Sequence, residues 1–385
     1  MKSNYKRLGD YIKEVDLRNI KGELSTLLGI NIDKYYMPSV ANIVGTNLTS
    51  YKIVKRNQFA CNRMHVGRDK RLPVALSKIN DDFIVSPAYD VFEITNENSL
   101  LPEYLMMWIS QKEFDRNAWF YTDADVRGGL NWKDFCNMQL PVPHHDKQRE
   151  IVKEYNIIAN RITLNNQLIK KLEETAQSIY KQWFVDFEFP NEEGKPYKFS
   201  GGEMVESVLG EIPKGWGVQK MEELAQLKYG KMLDASLFIE KGYPVFSGYG
   251  IRGYFSEYMY AVPQILILCR GVSGTGEVKL SPSFSWITNL SIIVEADENV
   301  IRKMYLYYYL KNRNLRSLDS GSAQSQITTG DLYNEYILLP SIKTQTKFHD
   351  LFCKINSQKE LLTSEISLLI KLESLLLTKL STIEN

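Results

Sequence analysis

The sequence has little of what marks most secreted, membrane or metal-binding proteins. Its 385 residues include four cysteines, widely spaced and never in a CxxC pair, so neither a disulfide framework nor a zinc site is predicted. No apolar run approaches the roughly 20 residues that span a bilayer. The first residues, MKSNYKRLGDY, lack the apolar segment of a signal peptide. We therefore expect a cytoplasmic protein with no membrane partner.

Catalytic motifs are equally scarce. The triplet His144, His145 and Asp146 could suggest a metal site, but adjacent side chains rarely point at one ion, and Asp146 fits the N-terminal cap of a helix. The glycine-rich stretch from Cys269 to Gly276 lacks the GK[ST] ending of a phosphate-binding loop. Neither an NPPY-like methyltransferase motif nor a PD…ExK nuclease pattern is evident. We predict a chain without catalytic residues, without a metal and without a cofactor of its own.

The net charge of +1 argues mildly against a nucleic-acid-binding protein, but the distribution of the charges is more informative. Between Lys52 and Arg71 there are seven basic residues and His65, with Asp69 as the single acid. A solvated loop would explain this run equally well. The basic run therefore supports nucleic-acid binding only when it is considered together with the domain arrangement.

A heptad pattern begins near residue 151. Apolar positions alternate at spacings of four and three for more than four heptads, with no glycine or proline among them. This pattern predicts a helix roughly 50–55 Å long, at about 1.5 Å per residue. The seam consists of Ile151, Tyr155, Ile158, Ile162, Asn165, Ile169, Leu172, Ala176, Ile179 and Trp183.

The junction that leads into this helix occurs twice. A strand-like apolar run ends at Pro143 and is followed by Gln148, and 197 positions later the same pattern joins Pro340 to Gln345. Adding 197 to the first seam gives a second seam, in which eight of the ten residues are apolar. The second seam consists of Phe348, Phe352, Ile355, Lys359, Leu362, Ile366, Leu369, Glu373, Leu376 and Leu380.

Each helix has one apolar stripe, which is too narrow to form a core alone, so we expect the two helices to pair. The predicted fold is α+β: two mixed α/β domains separated by two long antiparallel coiled-coil helices, with a pseudo-two-fold internal repeat. Packing of each helix on its own domain is the alternative. The predicted bounds are 1–145 and 216–342 for the domains, 146–186 and 343–385 for the helices, and 187–215 for a linker. The residues predicted to pair the helices are Ile158, Ile162, Ile169, Leu172, Ile355, Leu362, Ile366 and Leu369.

Two similar but non-identical domains could read two different marks on one linear polymer. Duplex DNA offers equivalent groove faces about 34 Å apart to modules related by a two-fold axis. A fused and diverged pair would then read an asymmetric bipartite site. A scaffold that binds RNA or protein is compatible with the same geometry.

The sequence resembles the specificity subunits of type I restriction–modification enzymes. The resemblance covers nearly the whole chain, and its most specific parts are QSIYKQWFVDFEFP, GGEMVESVLGEIPKGW and the two proline–glutamine junctions. It implies two target-recognition domains in a non-catalytic subunit that directs adenine-N6 methylation and restriction. The implied partners are double-stranded DNA, two modification (methyltransferase) subunits that use S-adenosylmethionine, and restriction (translocase-nuclease) subunits that use ATP and Mg²⁺.

The resemblance turns several polar loops into candidate DNA contacts. Arginine can bind guanine and asparagine can bind adenine in bidentate fashion, whereas lysine mostly contacts phosphates. The candidates in the first domain are Lys55, Arg56, Asn62, Arg63, His65, Arg68, Lys70, Arg71 and Arg127. Those in the second domain are Lys228, Lys231, Tyr249, Arg252, Tyr254, Arg270, Ser273, Thr275, Lys279, Gln324 and Gln326. A buried ion pair is the structural alternative for Arg270, and tight turns are the alternative for Gly248, Gly250 and Gly253.

Two other functional classes stay open. A tandem scaffold could stack RNA bases on Tyr305, Tyr307, Tyr308 and Tyr309, although their spacing is helical and favours core packing. An enzyme such as a single-chain methyltransferase is the other class, and the missing motifs disfavour it.

Overall fold

A computed structural model of the chain describes residues 5–40, 45–64, 66–122, 128–271, 274–319 and 325–380. The chain divides into two compact units. The first unit comprises residues 1–166 and 364–385, and the second comprises residues 167–363. Within the described ranges, no helix combines the length and the apolar character needed to cross a membrane.

The first unit mixes short strands with helices. Its strands are β1 (Tyr5–Arg7), β2 (Ile12–Val15), β3 (Leu28–Ile30), β4 (Tyr36–Pro38), β5 (Lys52–Val54), β6 (Phe59–Cys61), β7 (Val74–Leu76), β8 (Phe83–Val85), β9 (Asp90–Ile94) and β10 (Gln139–Pro141). Its helices are α1 (Val66–Asp69), α2 (Pro102–Ile109), α3 (Lys112–Phe120), α4 (Trp132–Asn137), the first part of α5 (His145–Phe184) and the last part of α9 (Ile342–Lys379).

The centre of the first unit is a four-stranded antiparallel sheet in the order β2-β9-β6-β7. Its strands are short, apolar and rich in aromatic and β-branched residues, which suits buried strands. Phe59 and Phe92, on neighbouring strands, stack with ring centroids 4.8 Å apart. They share an apolar core with Tyr104 and Leu105 of α2, so this helix covers one face of the sheet.

The second unit repeats this construction. Its strands are β11 (Met204–Ser207), β12 (Gly210–Pro213), β13 (Gly217–Lys220), β14 (Ala225–Tyr229), β15 (Tyr243–Phe246), β16 (Ile251–Phe255), β17 (Ile265–Leu268), β18 (Val278–Leu280), β19 (Trp286–Ile287), β20 (Ser291–Ala296) and β21 (Tyr336–Leu339). Its helices are the last part of α5, α6 (Met221–Leu224), α7 (Lys303–Lys311), α8 (Thr329–Tyr333) and the first part of α9 (Ile342–Lys379).

The sheet of the second unit has the order β14-β20-β17-β18, which matches the first sheet strand for strand. The pair β13–β21 corresponds to β1–β10, and α7, α8 and α9 occupy the same places in the chain order as α2, α4 and α5. The internal repeat predicted from the sequence is therefore confirmed. The tyrosines of α7 are all buried in the core, as their helical spacing predicted: Tyr305, Tyr307, Tyr308 and Tyr309.

The repeated glutamine has a specific structural role in the first unit. Gln148 is fully buried at the start of α5. Its Oε1 accepts a hydrogen bond from the Leu101 N–H at 2.9 Å, and its Nε2 donates to the carbonyls of Ser99 and Pro143, both at 2.9 Å. One side chain thus satisfies backbone groups at the N-terminus of α2 and ties that helix to α5.

The second unit uses Gln345 in the same way. Its Oε1 accepts from the Arg302 N–H at 2.8 Å, and its Nε2 donates to the carbonyls of Pro340 at 2.8 Å and Val300 at 3.4 Å. The junction recurs in the sequence because each long helix must be fixed to the short helix that covers its sheet.

The two long helices pair in an antiparallel manner within the first unit. Arg161 of α5 forms an ion pair with Glu365 of α9, with 2.7 Å between Nε and Oε1. Ile151 lies ten residues before Arg161 in the chain, and it shares an apolar cluster with Leu376 and Leu380, which lie after Glu365. Residues earlier in α5 thus contact residues later in the chain near the end of α9, as expected for antiparallel helices.

The pairing is also antiparallel within the second unit. Glu173 of α5 forms an ion pair with Lys359 of α9, and the rings of Phe184 and Phe348 lie 4.8 Å apart. Among the residues predicted to pair the helices, one is buried and seven are partly buried, whereas most residues between them are exposed. These residues are Ile158, which is the buried one, and Ile162, Ile169, Leu172, Ile355, Leu362, Ile366 and Leu369.

The segment that follows α5 was predicted as a linker because it is rich in proline, glycine and charge. It holds the antiparallel hairpin β11–β12. Phe189 stacks on Tyr197 at 4.6 Å and lies 4.8 Å from Trp216 between ring centroids. Aromatic packing therefore orders a segment whose composition alone is typical of a loop.

Candidate nucleic-acid interface

Two of the polar segments predicted to contact DNA occupy equivalent places in the two units. The β6–β7 loop connects the last two strands of the first sheet, and the β17–β18 loop connects the last two strands of the second. The first loop contains the run from Asn62 to Arg71, and the second contains Arg270 and Thr275. The residue types of both segments predict DNA contacts, and the fold places the two segments at equivalent positions.

The β6–β7 loop packs against the segment that leads into α4. The Leu130 N–H donates to the Arg63 carbonyl at 3.0 Å, and the Gly67 N–H donates to the Gly128 carbonyl at 2.7 Å. A Cβ on Gly67 would lie 2.7 Å from the Cα of Gly128, whose φ is +55°, so only glycine allows this approach. The candidate residues His65 and Arg127 lie outside the described residues.

The β17–β18 loop makes the corresponding contact with the segment before α8. The Ile327 N–H donates to the Cys269 carbonyl at 3.1 Å, and Arg270 forms an isolated antiparallel bridge with Gln326. The Gln326 N–H also donates to the Asp319 carboxylate at 2.8 Å. The candidates Ser273 and Gln324 lie outside the described residues. Each unit thus presents a two-segment surface at one edge of its sheet.

Arg63 is held within the first unit. Its Nε donates to Asp90 at 2.7 Å, it hydrogen-bonds the Leu130 carbonyl, and its guanidinium lies 5.6 Å from the Trp132 ring. Burial lowers the pKa of Arg63, but the hydrogen bond and charge of Asp90 outweigh this effect, so its pKa lies above the usual value. The contacts of Arg63 with Asp90, Leu130 and Trp132 favour a structural role. A direct contact between Arg63 and a base stays a prediction.

Other cations of the β6–β7 loop are more accessible. Arg68 is 68% exposed and pairs with its neighbour Asp69, with 2.6 Å between Nε and Oδ1. Lys70 is exposed, and its ammonium lies 4.9 Å from the Trp119 ring. Such surface contacts cost little to exchange for phosphate or base contacts.

The remaining candidates of the first unit have local partners. Lys55 lies 3.9 Å from Asp82, and Arg56 hydrogen-bonds Asn80; both cations are exposed. Asn62 is half-buried, and its side-chain oxygen accepts from the Met64 N–H at 3.2 Å. Arg71 forms ion pairs with Asp33 and Asp115.

Three of the exposed candidate cations of the second unit form no ion pair with any described residue: Lys231, Arg252 and Arg270. The Arg270 guanidinium lies 6.0 Å from the Tyr229 ring. Its exposure excludes the buried ion pair that was its structural alternative. These side chains could bind phosphate oxygens or base edges without breaking a salt bridge seen in the described residues.

Tyr249 contacts the β17–β18 loop and stabilises its conformation. Its hydroxyl donates to the Arg270 carbonyl at 2.7 Å, and its ring packs on Gly271 and Gly274, where a Cβ would come within 2.6 Å of the tyrosine. Burial raises the pKa of Tyr249. Tyr254 is exposed on β16. Gly248 has a φ of +81°, so the tight-turn interpretation holds there.

Three other candidates of the second unit are already engaged. Thr275 is buried, and its hydroxyl donates to the Gly271 carbonyl at 2.6 Å, which argues against direct contact with DNA in this conformation. Lys228 pairs with Glu295 at 2.7 Å. Lys279 pairs with Glu277 at 3.0 Å.

The sequence reasoning missed an aromatic cluster in the second unit. The ring of Tyr258 lies 4.8 Å from Tyr243 and 5.3 Å from Phe284, and all three side chains are exposed. A signal existed, since large aromatic residues stand among serines and prolines in SPSFSW. The charge pattern of the sequence gives no indication of this cluster.

The His144–Asp146 segment behaves as a helix start. Helix α5 begins at His145, and the His144 Nδ1 accepts from the Asp146 N–H at 3.4 Å. Asp146 is therefore not the capping residue that the sequence suggested; it lies in the first turn, where a carboxylate interacts favourably with the helix dipole. In the part of the chain that the structure describes, no group of three acidic, histidine or cysteine side chains could hold a metal ion.

Comparison with known proteins gives a consistent result. Residues 213–371 match a family model described as the type I restriction modification DNA specificity domain. The type I restriction enzyme HindI specificity subunit of Haemophilus influenzae is 25% identical over 190 residues, which are 47% of this chain and 40% of the relative. The MjaVIII specificity subunit of Methanocaldococcus jannaschii is 24% identical over 60% of this chain and 59% of its own length. The alignments thus cover about half the length of these two relatives.

A further relative and a solved structure extend the similarity. The MjaIX specificity subunit of Methanocaldococcus jannaschii is 25% identical over 323 residues, covering 74% of this chain and 70% of the relative. The crystal structure of the S subunit of a type I restriction–modification system from M. genitalium has a TM-score of 0.64 at 15% identity. It covers 99% of this chain and 96% of that chain, which confirms the predicted fold class.

Proposed function

We propose that this chain is the DNA-reading specificity subunit of a type I restriction–modification system, on the premise that residues 213–371 match the family model described as the type I restriction modification DNA specificity domain. In this proposal each unit reads one half of an asymmetric bipartite site. One observation carries it: the same sheet edge in both units presents a polar loop, and the two loops differ in sequence. Equivalent positions provide equivalent access to a groove, and different side chains provide different preferences.

We further propose that the subunit is non-catalytic and acts through partners. The modification subunits would use S-adenosylmethionine to methylate adenine at N6, and the restriction subunits would use ATP and Mg²⁺. Exposed apolar residues at heptad-like spacing on the long helices support a helical partner surface in the first unit. These residues are Ile157 and Leu164 of α5, and Leu368, Leu372 and Leu375 of α9.

The test is methylation of a randomised duplex library by the chain reconstituted with type I modification subunits from the same organism. We expect methylation of one bipartite motif. Arg68→Ala should weaken preference only in one half, and Arg252→Ala only in the other, by about 1–3 kcal/mol if each residue contacts a base. Phosphate contacts would instead weaken binding uniformly and reduce its salt dependence.

The control is Lys195→Ala, which removes an exposed cation of the segment after α5, remote in sequence from both loops. It should leave the methylated motif unchanged. A wild-type complex that methylates without sequence preference contradicts the function proposed here. Loss of preference in the same half for Arg68→Ala and Arg252→Ala contradicts the assignment of one half-site to each unit.

A further inference from the structure

Asp115 of α3 is the centre of a buried polar cluster behind the β6–β7 loop. Its Oδ1 accepts from the Lys34 Nζ at 2.7 Å and from the Leu72 N–H at 3.0 Å. The Arg71 Nε lies 3.6 Å from its Oδ2. The side chains of Lys34 and Asp115 are 4% and 9% exposed. One carboxylate therefore binds both the backbone and a side chain at the end of the loop.

Lys34 reaches this cluster from the turn between β3 and β4. Its φ is +70°, a left-handed conformation that lysine rarely adopts. Its ammonium also donates to the Ile109 carbonyl at 2.5 Å, and burial lowers its pKa although Asp115 opposes this. A strained residue with a buried charge is costly to retain, which points to a role beyond filling space.

The cluster determines how the loop leaves the sheet. Arg71 is fixed by Asp115 and also by Asp33, with 2.8 Å between Nη1 and Oδ1. Lys70 has a φ of +53° and lies over Trp119, on the same helix as Asp115. Helix α3 therefore contacts three consecutive residues at the C-terminal end of the loop. The pair between Arg63 and Asp90 fixes the other end.

The second unit holds its loop at the equivalent position by different chemistry. The glutamine-bound residues Leu101 and Arg302 differ by 201 positions, and the same offset relates Asp115 to Arg316. Arg316 lies in a short 3₁₀ helix against the β17–β18 loop. A Cβ on Gly276, whose φ is +89°, would lie 2.6 Å from the Arg316 backbone nitrogen.

We infer that Asp115 is a positioning residue that determines the half-site preference of the first unit, and that Gly276 has this part in the second unit. Neither needs to touch DNA. Each fixes one end of a loop that carries exposed candidate contacts, which are Arg68 and Lys70 in the first unit and Arg270 in the second. This inference rests on the function proposed above, and it adds the residues that set each loop's geometry.

The experiment uses the reconstituted methyltransferase and the randomised duplex library. Asp115→Asn keeps the shape of the side chain but removes the charge that binds Lys34 and Arg71. We expect discrimination in one half-site to fall about tenfold or more, as expected when a bidentate base contact is displaced. Discrimination in the other half should be unchanged. Gly276→Ala should produce the reciprocal result.

Two further variants separate positioning from stability. The double variant Lys34→Met/Asp115→Leu replaces the buried pair with apolar side chains, which often preserves or raises stability. It should recover the melting temperature while the half-site preference stays degraded, because Leu72 and Arg71 have still lost their partner. Val85→Ala, a core change in β8, should lower the melting temperature and leave the preference intact.

The outcomes distinguish this inference from the proposed function. If wild type reads a bipartite site while Asp115→Asn lowers only the melting temperature, or degrades both halves equally, the positioning role is wrong. If the double variant regains full discrimination together with stability, the cluster is only structural. If wild type shows no sequence preference, the proposed function itself fails.

Discussion

Arg63 and Arg270 follow equivalent strands, yet their side chains have different surroundings. Arg63 is committed to Asp90 and Trp132, whereas Arg270 is exposed and has no carboxylate partner among the described residues. A paired, partly buried arginine stabilises the protein, and an exposed unpaired arginine is available for an anion. The two residues therefore provide a direct test of which arginines read DNA.

Arg63→Ala and Arg270→Ala should have opposite effects on stability and recognition. Removing Arg63 leaves Asp90 without its partner and should lower the free energy of unfolding by about 2–4 kcal/mol, somewhat below the loss for a fully buried pair. Removing Arg270 should change stability by less than about 0.5 kcal/mol and cost about 1–3 kcal/mol of preference at one base pair. Chemical denaturation and library methylation measure the two quantities. A stable Arg63→Ala protein with altered base preference would make Arg63 a true reader.

At the scale of elements, Glu173 links three helices within the second unit. It lies on α5 and forms ion pairs with Lys311 of α7 and Lys359 of α9. Partial burial opposes its ionisation, but the hydrogen bonds and charges of the two lysines outweigh this and lower the pKa of Glu173 to about 2, from an ordinary value of about 4.5. The ionised carboxylate is therefore favoured in the folded state.

The stability contributed by Glu173 should depend on pH in a defined window. Because its pKa is lower in the folded than in the unfolded state, the contribution is complete above about pH 4.5 and is lost as the pH falls toward 2. Glu173→Gln should cost on the order of 2–3 kcal/mol at pH 7, and this cost should shrink steadily below pH 4.5. Unfolding free energies of wild type and variant between pH 7 and pH 3 measure it.

The neighbouring residue provides a matched control. Glu174 is paired with Lys171 on the exposed face of α5, so Glu174→Gln should change stability little at any pH. A difference between wild type and Glu173→Gln that stays constant down to pH 3 would show that packing, not the charge, explains the loss.

The elements also show what sequence can and cannot predict. The long helices were predictable because a heptad seam is a local pattern that repeats every few residues. The ion pair between Lys34 and Asp115 could not be predicted from the sequence, because the two residues lie 81 positions apart and neither is part of a recognisable motif. The same holds for Arg63, whose partner Asp90 comes from another strand. Residue type identified the correct loops, but only the fold shows which cations are already paired.

At the scale of the whole chain, the polypeptide passes from one unit to the other at two positions, and both positions lie inside helices. The boundary at 166/167 lies within α5, and the boundary at 363/364 lies within α9. The seam positions near these points are buried or half-buried, with Asn165 fully buried. A polar residue in such a seam favours one register over others. Substitutions in the loops should therefore not change the length over which the two helices pair.

Lengthening both helices by one heptad should change the spacing of the recognised site without changing its halves. Duplicating residues 163–169 in α5 and 362–368 in α9 preserves the seam and adds about 10.5 Å at ~1.5 Å per residue. At about 3.4 Å per base pair this corresponds to roughly three base pairs. We expect library methylation to report the same two half-sequences with a gap longer by that amount. Duplication in α5 alone should put the seams out of register and lower the melting temperature. An unchanged gap in the stable double insertion, or altered half-sequences at constant gap, would show that the helices do not set the spacing.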